Sequence, residues 1–302
     1  MKTKNTNLNK SKKENNDEFY TLLEDIEKEI GEYIRYDPNL FKDKVVLCPC
    51  DDPTWSNFTL YFIQNFEKLG LKRLISSCYA NPKITSQNKG KVYILNQGDP
   101  IPTSLSDVQY QLLEGNGSFK SEEVTQFRDS ADFIITNPPF SLFRDFISWV
   151  IEVNCKFSVI GNKNCVTYKE VFPHLKDNKL WSGFLKWGSI NFIDKFSREY
   201  KSIPAIWITN IKHRKLLKPL NLIKTYTPEQ YPKYDNYDAI EISRTKDIPI
   251  DYTGVIGVPI SFLDKYDPNQ FEIVDKLNTP KLQGKEIYKR ILIRHKKPLA
   301  QN

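Results

Sequence analysis

An apolar run, Ala131-Asp132-Phe133-Ile134-Ile135-Thr136, ends directly on Asn137-Pro138-Pro139-Phe140, and these ten residues constrain the fold more than any others in the chain. Two consecutive prolines cannot continue a strand. Neither has an N–H for the ladder, and each pushes the residue before it away from helix. The run before them has the length and apolar character of a buried strand. Beyond them, Ser141-Leu142-Phe143-Arg144-Asp145-Phe146-Ile147 has the spacing of a helix. A strand that stops on a rigid turn and resumes as a helix belongs to the carboxyl rim of an α/β sheet, where such sheets bind ligands. Asn and Pro also form ordinary strand-ending turns, but the flanking strand and helix favour the rim.

The order of an amide, two imino acids and an aromatic ring has a specific chemical use. An exocyclic amine shares its lone pair with the ring it hangs from and is a poor nucleophile. With its two hydrogens held by the Asn137 side-chain oxygen and the backbone carbonyl of Pro138, it can pyramidalise and attack a sulfonium methyl. The prolines, Pro139 included, fix their own φ and restrict the residues before them, which holds both acceptors rigid. Phe140 offers a face on which a planar base, taken out of its helix, can stack.

Strands and helices alternate over most of the chain. Residues 17–36 have helical spacing, with Phe19, Leu22, Leu23, Ile26 and Ile30 on one face. Residues 44–48 read as a buried strand closed by Pro49-Cys50-Asp51-Asp52-Pro53. Ser56 reads as the N-cap of a helix that runs through Phe58, Tyr61, Phe62 and Phe66. Further strands are expected at 71–79, 92–95, 157–161 and 205–210, loop over most of 97–111, a turn at 115–119 and a short helix at 121–128. This rhythm predicts a mostly parallel α/β sheet in a domain over 17–215. A Lys- and Asn-rich tail, 1–16, precedes it, and a C-terminal region, 216–302, follows where Pro, Tyr and Asp dominate.

Charge separates the same regions. Residues 201–302 carry 18 Lys/Arg against 11 Asp/Glu, while the first 200 residues carry 26 of each, so the net charge of +7 lies wholly in the last third. A basic C-terminal region fits a polyanion such as nucleic acid, although solvated basic surfaces are common. Asn236, Arg244, Asn269 and Gln270 are of types that read base edges, but none stands out enough to be assigned that role. Mean hydropathy is −0.52, and no apolar stretch approaches the 18 or so residues of a spanning helix, which predicts a cytoplasmic protein away from membranes. Five scattered cysteines fit reduced thiols, and Cys48-Pro49-Cys50 is too tightly spaced for ordinary zinc chelation. His174, His213 and His295 lie far apart, so no Ser/His/Asp or Cys/His arrangement is legible and no metal is required.

The segments NDEFYT (16–21), CDDP with SNF (50–53, 56–58), TNPPFSLFRDFI (136–147), IGNKN with TYKEVFP (160–164, 167–173), YPKYDNYDAI (231–240) and DYTGVIGVPISFLDKYDPNQFEI (251–273) together resemble the EcoRI-type adenine-specific DNA methyltransferase family. The resemblance implies a Rossmann-like methyltransferase sheet, S-adenosylmethionine as donor, and N6 of a flipped adenine in double-stranded DNA as acceptor. It also allows a cognate restriction endonuclease acting on the same site as a partner. Carried over by motif, Asn137, Pro138, Pro139 and Phe140 form the catalytic turn. Phe19, Tyr20 and Thr21 stand in the segment that meets the methionine end of the donor. Cys50, Asp51, Asp52 and Pro53 stand in the first donor loop, with Asn57 just beyond it. Asn116, Ser118 and Phe119 stand in the third loop.

Two departures are visible. CPCDDP (48–53) has no Gly where methyltransferases carry a glycine-rich loop, and GNGSF (115–119) has Ser118 where family members tend to have an Asp that accepts from the donor's adenine amine. Ser118 or Asn116 is the available substitute. These departures keep open a catalytically impaired DNA-binding relative, and the tetrapeptide alone also suits RNA adenine or a protein glutamine side chain.

Overall fold

In the computed structural model, residues 19–80, 88–194 and 200–299 are described; the tail expected at 1–16 lies outside the described residues. The chain divides into two compact units, one of residues 1–163 and 183–211, the other of residues 164–182 and 212–302.

The first unit is built on a mixed sheet. Its elements in chain order are β1 (Phe19–Thr21), α1 (Leu23–Tyr36), β2 (Val45–Cys48), α2 (Asn57–Gln64), α3 (Phe66–Leu69), β3 (Arg73–Cys78), β4 (Lys91–Asn96), β5 (Gln111–Leu112), α4 (Glu122–Ser130), β6 (Phe133–Thr136), α5 (Phe143–Ile151), β7 (Lys156–Asn162), β8 (Asn191–Asp194), β9 (Tyr200–Ser202) and β10 (Ala205–Thr209). Seven of the strands lie side by side in the order β5-β4-β3-β2-β6-β7-β10. The central four, β3-β2-β6-β7, are parallel, whereas β4, β5 and β10 run antiparallel to their neighbours. Every residue of β2, β6 and β10 is buried, the pattern of strands covered on both faces.

Strand order decides where a ligand can bind. From β2 the chain moves outward through β3, β4 and β5, then returns to β6 on the opposite side of β2. The loops leaving β2 and β6 therefore diverge, and a crevice opens outside the carboxyl ends of these two strands. Both sequence-predicted loops, 49–53 and 137–140, leave at this point.

Two expectations need correction. Residues 19–21 are not the first turn of a helix but strand β1, paired antiparallel with β8, and the helix begins at Leu23. The apolar spacing of Phe19 and Leu22 fits either period over so short a stretch. The outer strands depart from the expected parallel pattern, since β4 turns back on β3 without an intervening helix among the described residues. An antiparallel neighbour needs no crossover.

Buried acids on α1 fix the chain that packs against it. The helix buries Ile26, Ile30 and Tyr33 and, on the same side, Asp25 and Glu29. Glu29 Oε1 accepts from the Tyr33 hydroxyl (2.5 Å) and from Phe184 N (2.7 Å), and Oε2 accepts from Leu185 N (2.7 Å). Asp25 accepts from Asn191 N at 3.0 Å. Gly183 has no room for a side chain, because a Cβ there would lie 2.2 Å from Glu29 Oε1.

The second unit has a four-stranded sheet, β11 (Ile240–Glu241), β12 (Ile256–Pro259), β14 (Arg290–His295) and β13 (Phe271–Leu277) in spatial order. The segment DYTGVIGVPISFL supplies its core, with Ile256, Val258, Ile260 and Phe262 buried. Arg290 grips Glu241 through Nε (2.9 Å) and Nη2 (2.6 Å), and the Tyr234 hydroxyl also donates to Glu241. A Cβ at Gly257 would meet the Tyr234 hydroxyl, so glycine is required where Tyr234 crosses the strand. Asn236 and Gln270, of base-reading type, bond the chain itself. Asn236 ties Thr279 O and Lys281 N, and Gln270 ties both backbone groups of Leu220.

Glu29→Ala takes the carboxylate acceptor from the N–H groups of Phe184 and Leu185, while the Tyr33 hydroxyl keeps Ser158 Oγ at 2.9 Å. We expect a loss of at least about 2 kcal/mol in urea unfolding; a variant within about 0.5 kcal/mol of the wild type would show that the loop at 184–185 does not depend on this carboxylate.

Candidate active site

A cleft of about 340 Å³ opens at the crevice beyond β2 and β6, within the range of small-molecule sites. Four stretches line it: Tyr20 and Thr21 of β1, residues 49–52 with 55–58, Cys78 and Tyr79 at the end of β3 with the turn 116–119, and Asn137, Pro139 and Leu142 after β6.

Asp51 joins these stretches from beneath. It is buried, and its side chain takes hydrogen bonds from Ser56 Oγ (2.7 Å) and Thr136 Oγ1 (2.5 Å). Its backbone O accepts from Ser76 Oγ (2.8 Å) and its N donates to Ser77 O (2.9 Å). Burial pushes its pKa up to about 7, against the opposing effect of the Thr136 and Ser56 bonds, with a further rise from the charge of Asp52. Ser56, besides donating to Asp51, caps α2 as expected, accepting from Phe58 N at 3.1 Å.

Asp52 is the ionised partner. Burial opposes its charge, but hydrogen bonds from Thr54 N (2.9 Å) and Thr54 Oγ1 (2.6 Å), with Lys91 Nζ at 3.1 Å, hold its pKa below the usual carboxylate range. The same bonds explain how the loop turns without glycine. Asp52 Oδ1 closes a turn on Thr54 N, Asp52 O accepts from Trp55 N and Ser56 N, and no residue from 49 to 56 has a positive φ. A side chain does here what glycine does elsewhere. The glycine that conformation does demand is Gly117, at φ +75°, where a Cβ would lie 2.2 Å from Cys78 O.

The remaining predicted residues divide into those the cleft gathers and those it does not. Asn57 Nδ2 donates to Thr21 O (2.8 Å), which ties α2 to β1. Tyr20 packs edge-on to Trp55 with centroids 4.2 Å apart. Asn116 Oδ1 accepts from Ser118 N (3.0 Å), and Ser118 Oγ accepts from Lys120 N (3.3 Å). Phe119 is buried edge-on against Phe146 and Trp149. Asn137, Pro139 and Cys50 line the cleft, while Pro53, Pro138 and Phe140 are not among its lining residues. Pro138 is buried, and Phe140 is half-buried and packs edge-on to Phe192 at 6.4 Å. The backbone of Phe19 lies in β1.

Sequence reasoning missed Trp55, Cys78, Tyr79, Gly117 and Leu142 as cleft residues and Thr136 as a partner of Asp51. Tyr79 and Leu142 are each 45% exposed, and large exposed apolar side chains beside a crevice are a signal that only coordinates provide. For Gly117, the Gly-Asn-Gly turn itself was the available clue.

A mixed α/β sheet whose central crevice joins a carboxylate loop to an Asn-Pro-Pro-Phe turn defines a methyltransferase that acts on amino groups. The chain belongs to the family described as adenine-specific methyltransferase EcoRI, whose model matches residues 7–300. It is 40% identical over 319 residues to the type II methyltransferase M.EcoRI of Escherichia coli, with 96% of each chain covered. It is 37% identical to the type II methyltransferase M.MpnI of Mycoplasma pneumoniae, over 90% of this chain and 86% of that one. No solved structure matches the chain.

The raised pKa of Asp51 has a sign. The folded state holds this proton more tightly than the unfolded state, so the stabilising contribution is complete below about pH 4 and is lost as pH rises toward 7. A tenfold difference in proton affinity between the two states is worth about 1.4 kcal/mol, enough to be read in an unfolding curve. We expect the wild type to lose stability relative to Asp51→Asn across roughly pH 4.5–7 in denaturant titrations, and a constant difference over that window would contradict the assignment.

Proposed function

We propose that this protein is a site-specific DNA adenine N6-methyltransferase that uses S-adenosylmethionine as donor, in the cytoplasm, alongside a cognate endonuclease that reads the same site. The observation that carries the reading is that Asn137 and Pro139 line the same cleft as Asp51 and Asp52, from the neighbouring strands β6 and β2. As a family member the protein is an adenine-specific methyltransferase, so the reading adds the donor, the residues that hold each substrate and the division of labour along the chain. The mixed sheet is taken as the Rossmann-like sheet of such enzymes, and the basic residues after 211 as the part that meets DNA phosphates.

The donor fits the residues present. A cleft holding an ionised carboxylate, Asp52, beside the rings of Tyr20 and Trp55 suits a molecule with a cationic end and a planar base. Ser118 and Asn116 face the same space from the third loop. S-adenosylmethionine, when bound, supplies an electrophilic methyl on a sulfonium.

Everything else is positioning. Asn137 Oδ1 and the carbonyl of Pro138 hold the two hydrogens of the adenine N6, so that its lone pair points away from the ring and toward the methyl. Pro139 O accepts from Leu142 N at 3.0 Å and anchors the far side of the turn. Phe140, braced edge-on by Phe192, carries the flipped base. Orientation and amine polarisation supply the acceleration, with no covalent enzyme intermediate.

Incubation with radiolabelled donor and, in turn, duplex DNA, RNA and a protein extract tests the reading. Label should appear as N6-methyladenine in duplex DNA. Label confined to RNA or to glutamine would overturn the substrate, and no donor binding by calorimetry at millimolar concentration would mark a DNA-binding relative that has lost the chemistry. Asn137→Ala should lower the DNA methylation rate by about 100-fold or more with donor affinity nearly unchanged; a near-normal rate would refute the role of the amide.

A further inference from the structure

The turn that carries Asn137 contains two positions that can accept main-chain hydrogen bonds but not donate them. Thr136 is the last residue of β6 and is paired in register with Val159 of β7. Immediately beyond Asn137, Pro138 and Pro139 have no N–H to donate, so two successive positions cannot be tied down by main-chain donors. The amide that must meet a reacting nitrogen thus precedes two positions whose main chain can only accept, as Pro139 O does from Leu142 N. Thr136 supplies a different tether. It is fully buried, and its hydroxyl donates to Asp51 at 2.5 Å.

At the other end of that bond, Asp51 is fixed from three directions. Ser56 Oγ holds the second carboxylate oxygen at 2.7 Å, Ser76 Oγ holds its carbonyl at 2.8 Å, and its own N is bonded to Ser77 O at 2.9 Å. Ser76 is itself bonded to Thr59 of α2 through the two hydroxyls at 2.6 Å. Asp51 begins the turn that Asp52 closes on Thr54 and that ends at Trp55 on the cleft wall. One side-chain bond therefore connects the residue before the catalytic amide to the residue at the root of the carboxylate loop.

We propose that Thr136 and Asp51 are positioning residues, a buried clamp that sets the distance between the amine-holding turn and the donor loop. The inference rests on the methyltransferase reading above and deepens it. Neither side chain need touch the reacting atoms: the clamp acts through Asn137, whose placement matters because a displacement of about 1 Å in a reacting group can cost about 100-fold in rate. Such a role differs from donor binding, which the motif resemblance alone suggests for Asp51. A carboxylate whose two oxygens are engaged by Ser56 and Thr136 is better suited to bracing than to receiving a ligand.

The test is single-turnover methylation of duplex DNA, which separates the transfer step from product release, together with donor and DNA affinities and the melting temperature. Thr136→Val keeps the shape and removes only the hydroxyl. Its transfer rate should fall by about 10- to 100-fold, with both affinities within about threefold of wild type, and Thr136→Ser should restore the rate to within about threefold. A merely structural threonine would move stability and affinity together and would not be rescued by serine in rate alone. Asp51→Ala removes the acceptor altogether, and the double variant Asp51→Ala/Thr136→Val should be no slower than the slower single variant, because each single change already breaks the same bond. A Thr136→Val rate within about twofold of wild type, or strictly multiplicative losses in the double variant, would overturn the clamp. If Thr136→Val does not fold, Thr136→Ala decides, since it too removes the hydroxyl that donates to Asp51, and a full wild-type rate in it would equally overturn the clamp. Absence of DNA methylation by the wild type would instead sink the functional reading itself.

Discussion

A carboxylate sealed in a sheet's interior must be compensated by donors or stay protonated, and Asp51 does both by halves. Two hydroxyls hold it, yet burial still leaves its pKa near neutrality. The crevice is organised around this compromise. Beneath the cleft, β2, α2, β3 and β6 all deliver a group to Asp51: its own backbone at the end of β2, Ser56 at the cap of α2, Ser76 and Ser77 from β3, and Thr136 from β6. Apolar packing decides that these strands are buried side by side. The polar knot decides how their ends are spaced, which packing alone leaves loose.

The same tactic recurs away from the cleft. Glu29 on α1 gathers the backbone at 184 and 185, and Asp25 gathers Asn191. In the second unit Glu241, paired with Arg290 and Tyr234, sits between strands of the four-stranded sheet. Glu29 and Asp25 hold main-chain N–H groups against a helix, whereas Glu241 ties two side chains, one of them from a neighbouring part of the same unit. A carboxylate suits both tasks because it can accept several hydrogen bonds at once.

Much of this was legible in the sequence, and the rest was hidden for identifiable reasons. The β2 and β6 strands announce themselves as short, wholly apolar runs, and their ends by Pro49 and by Pro138-Pro139. Ser56 announces the start of α2, and its side chain does cap it. Phe19 and Leu22 misled because three or four residues do not resolve a period of 2 from one of 3.6, and β1 exists only through its pairing with β8. The direction of β4 was invisible because pairing sense is a property of two strands and not of either one. Within the site, residue types flagged the carboxylates but not their assignments. Nothing local distinguishes Asp51, which braces, from Asp52, which faces the cleft charged; the difference arises from burial and from partners far along the chain, such as Ser76 and Thr136. Thr136 escaped notice for the same reason, as a β-branched residue at a strand end needs no function to be there.

The glycine-free turn after β2 has a consequence for how this family member can vary. In loops shaped by glycine, backbone form and surface chemistry are set by different residues and can drift independently. Here one aspartate both bends the main chain, through Thr54 N, and presents the negative charge, so replacement by any residue but asparagine alters contour and potential together. Asparagine alone offers the same acceptor oxygen, and it would keep the bend while giving up the charge that Lys91 meets. The bend constrains position 52 to two residue types, and the charge narrows it to one.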